Sequence, residues 1–159
     1  MAAFTAYFTD MMTQKTAKRS GFSPAAVLET ALYVDDLVAA RQFYTEVLGL
    51  EIVTEAEGRH VFFRVGDGML LLFDPVTTVA PPDPPPALQV PPHGATGPGH
   101  MCFSVTAEGL QQGRKALEAA GIKIESEVEW PNGALSIYFR DPAGNSLEFA
   151  EPRLWFSES

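Results

Sequence analysis

The chain has a single cysteine, Cys102, among 159 residues, so an intramolecular disulfide and any zinc site built on several thiolates are ruled out. Its place between Met101 and Phe103, in a strand-like run, reads as a small packed hydrophobe rather than a nucleophile. Basic residues are also scarce. Lys and Arg number 11 against 20 Asp and Glu, a formal net charge of −9, and the basic side chains are scattered. Neither nucleic acid nor an anionic membrane surface is therefore an expected partner. No run of about 18 apolar residues occurs, so no membrane-spanning helix is expected. The first residues lack the basic segment and continuous apolar core of a signal peptide, which makes the cytoplasm the expected compartment. Glycine-rich phosphate loop, nucleophile elbow and nucleotide fingerprint are missing too. A small molecule, or another protein chain, is left as the expected partner.

What is present is a globular composition, 46% apolar and 11% aromatic, in a length that suits one domain or two small modules sharing a core. Residues 1–25 are read as a tail or helix, because Phe4, Tyr7, Phe8, Met11 and Met12 fall on one helical stripe. From Ala26 a β-rich run ends at Asp35-Asp36, two acids suited to starting a helix. A helical stripe through Phe43 and Tyr44 then stops at Gly49. Strands are predicted at about 50 to 56, 60 to 65 and 69 to 74. The first module, 26–75, thus reads β-α-β-β-β.

Residues 76–98 form a connector. Nine of the chain's 13 prolines lie between Pro75 and Pro98, a density that predicts an extended, semi-rigid segment. After it the first pattern repeats across 99–152, with His100 to Val105 lying over Glu29 to Val34. The second helix is predicted from Ala107 to Ala120, stopped by Gly121, and strands follow at about 122 to 128, 134 to 140 and 146 to 151. Residues 153–159 are a C-terminal tail. The expected α+β fold is therefore two tandem βαβββ modules pairing into a curved eight-stranded sheet with a cleft.

The stretch Asp141-Pro142-Ala143-Gly144-Asn145 reads as a tight turn feeding the last strand, where Ser146, Glu148 and Ala150 share one face. Glu148 is then a carboxylate in an apolar strand and needs a partner. Overlaying the repeats sets Glu29 on His100, and Glu148 on Leu71 or Leu72. A pseudo-twofold would bring Glu29, His100 and Glu148 toward one cleft. His60, Phe62 and Arg64 share a face of the third strand. Tyr138 and Arg140 share a face of the seventh, where Tyr138 would orient a substrate and Arg140 would pair an anion or sit beside Asp141. His93, in the connector, reads as exposed and incidental.

Taken together, Tyr33-Val34-Asp35-Asp36-Leu37, Phe43-Tyr44 through Leu48-Gly49-Leu50, Gly97-Pro98-Gly99-His100 and Tyr138-Phe139-Arg140-Asp141-Pro142-Ala143-Gly144-Asn145 with Leu147-Glu148 resemble the vicinal oxygen chelate superfamily. That superfamily includes glyoxalase I, bleomycin resistance proteins and extradiol dioxygenases. The resemblance covers about residues 26 to 152. It implies one divalent metal ion, Mn, Zn, Ni, Co or Fe, held by Glu29, His100 and Glu148. Leu71 or Leu72 stands where glyoxalase I members carry a fourth, carboxylate ligand, so open positions remain for substrate oxygens. The implied activity is lyase or isomerase chemistry on a small organic substrate. Glu148 or His60 would serve as base with Tyr138 beside them, and Phe62, Arg64 and Arg140 would contact substrate. A homodimer is implied, with modules paired within or between chains. Two other readings fit the same family. One is a metal-free, bleomycin-resistance-like binding protein with a cleft lined by Phe62, Phe63, Phe73 and Trp130; the other is an Fe-dependent extradiol-type dioxygenase.

Overall fold

A computed structural model describes residues 21–79 and 90–156; the N-terminal stripe, residues 80 to 89 of the connector and the last three residues lie outside it. The order of elements is the repeat read from the sequence. The first module holds β1 (Glu29–Tyr33), α1 (Leu37–Gln42), β2 (Glu51–Ala56), β3 (His60–Val65) and β4 (Gly68–Phe73). A short helix, α2 (Pro75–Val79), follows. The second module holds β5 (His100–Ser104), α3 (Ala107–Ala119), β6 (Ser126–Glu129), β7 (Leu135–Arg140) and β8 (Ser146–Ala150), with a 3-10 turn at Pro152–Leu154. Each module forms a four-stranded sheet, ordered β1-β4-β3-β2 and β5-β8-β7-β6. Among the described residues no ladder joins the two sheets, so the expected eight strands stand as two fours.

Local chemistry explains the boundaries. Asp36 caps α1 by accepting from the Ala39 N–H at 2.9 Å, and Thr106 caps α3 by accepting from the Gly109 N–H at 3.0 Å. Past α1 the chain continues as a π-helical turn over Phe43–Val47, where the Leu48 N–H reaches back to the Phe43 carbonyl. The wider turn sets the large rings of Phe43 and Tyr44 side by side in the interior, 5% and 0% exposed. Gly49 then closes the first helical segment at φ 68° and Gly121 the second at φ 68°, the left-handed conformation that glycine adopts without a Cβ clash. The connector differs from its expected extended form at its start. Pro75 opens α2, where the missing N–H costs nothing, and the Asp74 carboxylate accepts from the Thr77 N–H at 2.8 Å.

One hydrophobic cluster takes in both modules: Leu32, Phe63, Leu70 and Leu72 from the first, Phe103, Ile137, Phe139 and Phe149 from the second, with Leu110 and Leu117 of α3. The modules thus pack together within one chain through their helix-bearing faces. Gly113 of α3 comes so close to Phe149 that an added Cβ would lie 2.7 Å from its ring. The predicted Asp141 turn is what fastens the two halves. Asp141, 4% exposed, accepts from the Tyr44 hydroxyl at 2.9 Å, from the Ala143 and Asn145 N–H groups, and from the Asn145 side chain. Asn145 in turn donates to the Tyr33 carbonyl at 3.2 Å and accepts from the Gly99 N–H at 2.7 Å. A buried carboxylate is tolerated here because four donors replace its water. Tyr44 stays a neutral phenol, its pKa raised by burial and then by the Asp141 charge.

Candidate functional site

Strand alternation leaves each sheet a second face, turned away from the shared core, and the pairing register makes the two faces comparable position by position. Glu29 pairs with Met69 and Ala31 with Leu71, while His100 pairs with Ser146 and Cys102 with Glu148. With Glu29 on His100, Leu71 therefore stands at the Glu148 position. Leu72 belongs to the core, fully buried. The same register sets Phe62 on Tyr138, His60 on Ser136 and Arg64 on Arg140.

On the second module's outer face three of the expected residues meet. His100 Nε2 lies 3.5 Å from Glu148 Oε2, and the rings of His100 and Tyr138 run nearly parallel with centroids 6.3 Å apart. His100 Nδ1 is 3.0 Å from the Ser146 carbonyl. That oxygen can only accept, so Nδ1 carries a hydrogen and Nε2 is the ring atom turned toward Glu148. Glu148 is 4% exposed, and its Oε1 is buried with no hydrogen-bond partner among the described residues. An imidazole nitrogen and a carboxylate oxygen thus face each other across a short gap, a geometry that suits a proton or a cation shared between them.

The neighbours of Glu148 are held protonated. Burial, and then the Glu148 carboxylate, push the Tyr138 phenol up to about 12. The same causes push the Cys102 thiol up to about 12, which removes it as a nucleophile at neutral pH, in line with its strand position. Tyr138 is therefore a hydrogen-bond donor over the working range, set beside the Glu148 carboxylate.

Glu29 is on β1 and exposed. It lines a cavity of about 170 Å³ between the modules, together with Met69 and with Cys102 and Ser104 of β5. Among the described residues, no three His, Cys, Asp or Glu side chains of one chain stand close enough to hold a metal. His100 and Glu148 are brought together; Glu29 is not brought to them. The structure also parts the residues expected at the substrate. Arg140 is bonded to Glu125 at 2.9 Å and to the Gly144 carbonyl at 3.0 Å, whereas among the described residues Arg64 pairs with Glu51, at 3.8 Å.

His60 and Phe62 share the first module's outer face as expected, their rings stacked at 4.2 Å, with Phe73 5.1 Å from Phe62. Burial, helped by the charge of Arg59, lowers the pKa of His60. Its Nδ1 is buried without a partner among the described residues. The lining expected for a binding cleft needs two corrections. Phe63 is fully buried in the core, as alternation with Phe62 requires. Trp130 packs against Ala134, Ala150 and Leu154 of the second module and donates from Nε1 to the Ser136 hydroxyl at 2.8 Å. His93, read as incidental, is exposed but engaged: its Nδ1 is hydrogen-bonded with the Tyr33 hydroxyl at 2.7 Å, and its ring stands edge-on to Phe73 at 4.7 Å. No local pattern in the sequence marks that contact, since it joins residues 60 apart.

Comparison with known proteins bears on the whole arrangement. The model of the Glyoxalase/Bleomycin resistance protein/Dioxygenase superfamily matches residues 26–149. Among solved structures, a lactoylglutathione lyase from Agrobacterium tumefaciens is 46% identical, with TM-score 0.78, over 84% of this chain and 98% of that one. A glyoxalase/bleomycin resistance protein/dioxygenase from Nocardioides is 27% identical, with TM-score 0.56, over 94% of this chain and 92% of that one. No curated protein matches the chain.

Proposed function

Because the chain belongs to the Glyoxalase/Bleomycin resistance protein/Dioxygenase superfamily, we propose that it is a metal-dependent enzyme. It chelates two adjacent oxygens of a small organic substrate for lyase or isomerase chemistry. The observation that carries this reading is the confrontation of His100 Nε2 with Glu148 Oε2 at 3.5 Å, next to a buried Glu148 Oε1 without a partner among the described residues. Imidazole and carboxylate suit a divalent first-row ion, and Glu29 is the third donor. Such an ion, when bound, supplies Lewis-acid stabilisation of charge developing on the substrate oxygens.

The chain's own residues supply the rest. The Ser146 carbonyl fixes the His100 tautomer and ring plane, as supporting groups around metal sites do. Glu148 offers Oε1, buried and without a hydrogen-bond partner among the described residues, as the atom that takes up a proton. Tyr138, protonated up to about pH 12, donates a hydrogen bond toward that carboxylate or a substrate oxygen. Leu71 holds the fourth corner apolar and so leaves room for substrate oxygens. Glu29 comes from a second copy of the chain, because within one chain no cluster of three such donors forms among the described residues. The functional form is then a homodimer in which Glu29 of one copy faces His100 and Glu148 of the other. The 46% identical lactoylglutathione lyase puts lactoylglutathione first among substrates to be tried.

The test is elemental analysis of protein purified without added metal or chelator, on wild type, His100→Ala and Glu148→Ala. About one ion per chain in the wild type, lost in both variants, is the expected result. A wild type that holds no ion, and takes up none from Mn2+, Zn2+ or Fe2+, would overturn the proposal.

A further inference from the structure

The outer faces of the two modules differ most at their far ends. In the second module the positions equivalent to Tyr33, Phe73 and His60 are Ser104, Ala150 and Ser136. These small side chains make room for Trp130 and Leu154 of the same chain, which pack against Ala150. In the first module the same positions carry large rings instead. Phe62 stacks on His60 at 4.2 Å, Phe73 stands 5.1 Å from Phe62, and His93 crosses from the connector to Phe73 at 4.7 Å while its Nδ1 holds the Tyr33 hydroxyl. His60 Nδ1, buried and without a partner among the described residues, is left inside this set of rings.

We propose that this basin of Tyr33, His60, Phe62, Phe73 and His93 is a binding subsite for a planar apolar group that carries one hydrogen-bonding atom, and that this group is the non-chelating end of the substrate. Tilted and edge-on rings offer a flat guest both faces and edges, the arrangement aromatic contacts favour. An unpaired buried ring nitrogen is costly, and a guest atom bonded to it removes the cost. Phe62 also pairs directly with Leu71, so the basin adjoins the apolar corner opposite Glu148 in the repeat. The contact between Tyr33 and His93 makes the His93 ring one wall, which ties guest binding to a residue outside either sheet. The word substrate rests on the metal-dependent reading above; the subsite itself does not.

Titration of 2-naphthol into chelator-treated protein, followed by calorimetry, tests the subsite without metal or turnover. Saturable binding of one naphthol per chain is expected. Phe62→Leu should weaken it about tenfold, and His60→Phe, which keeps a ring but loses the nitrogen, about threefold or more. His93→Ala, at an exposed position, should weaken it with the fold intact, and Trp130→Phe in the second module should leave it unchanged. Absence of saturable binding to the wild type, or equal affinity in wild type, Phe62→Leu and His93→Ala, overturns the subsite. If naphthol binds as expected while the wild type takes up no metal, the subsite stands and the metal-dependent reading falls.

Discussion

The two modules share a fold and a register, yet their outer faces carry opposite chemistry. Where the second presents His100, Glu148 and Tyr138, the first presents Glu29, Leu71 and Phe62 at the matching places. One half holds donors and a proton acceptor; the other holds one exposed carboxylate and a bed of rings. Their turns differ in the same way. Between β3 and β4 the chain reverses tightly at Gly66, φ 55°, whereas between β7 and β8 the Asp141 to Asn145 loop reaches across to the other module. A duplicated unit thus carries a face of donors on one half and a face of rings on the other.

The sharpest way to break that comparison is to ask whether the missing donor crosses between chains. Glu29→Gln and His100→Ala should each remove activity and metal when prepared alone. If Glu29 serves the partner's His100 and Glu148, every mixed dimer keeps one of its two sites intact. Refolding the variants together should then restore about a quarter of wild-type activity, since about half the dimers are mixed. Assay and metal content of the mixture check this. No recovery would place the whole donor set in one chain.

The second largest effect concerns the turns. Asp141→Ala takes the acceptor from four donors, the Tyr44 hydroxyl, the Ala143 and Asn145 backbone N–H groups and the Asn145 side chain, and a loss of about 3 kcal/mol in denaturant unfolding is expected. Asp67→Ala, in the short exposed turn of the first module, should change stability by less than about 0.5 kcal/mol. Near-equal losses would show that the longer turn is a local feature and not the fastening between modules.

That asymmetry also marks how far the sequence could be read. Periodicity, the paired glycine stops at Gly49 and Gly121 and the repeat were enough for every strand and both main helices, because each depends on neighbours within a few residues. The face shared by His60, Phe62 and Arg64 and that shared by Tyr138 and Arg140 follow from alternation alone. The choice between Leu71 and Leu72 did not, since a register is set by pairing partners and not by the strand's own pattern. The roles of Asp141 and Asn145 were hidden for a similar reason: a turn motif predicts its own geometry, but not that Tyr44, 97 residues away, will donate into it. Glu29 was placed in a donor set by overlay, and overlay says which positions are equivalent without saying which chain brings them together. His93 looked incidental because a connector residue acquires a role only from the surface it lands on.

The smallest effect separates the faces by their response to pH. His60 has its pKa lowered in the folded chain by burial and by Arg59, so folding favours its neutral form. Above the unfolded-state value of about 6.5 both states are neutral there, and the residue's contribution to stability is fully present. As pH falls below that value the unfolded chain takes up a proton that the folded chain resists, and the contribution is progressively lost. His60→Phe removes this proton uptake while keeping a ring against Phe62. Urea unfolding at about pH 7.5 and about pH 5 should therefore show a larger fall in stability for the wild type than for the variant. An equal fall in both would mean that His60 is solvated in the folded chain. The rings of the first module would then be open to water, and not closed around a nitrogen waiting for a partner.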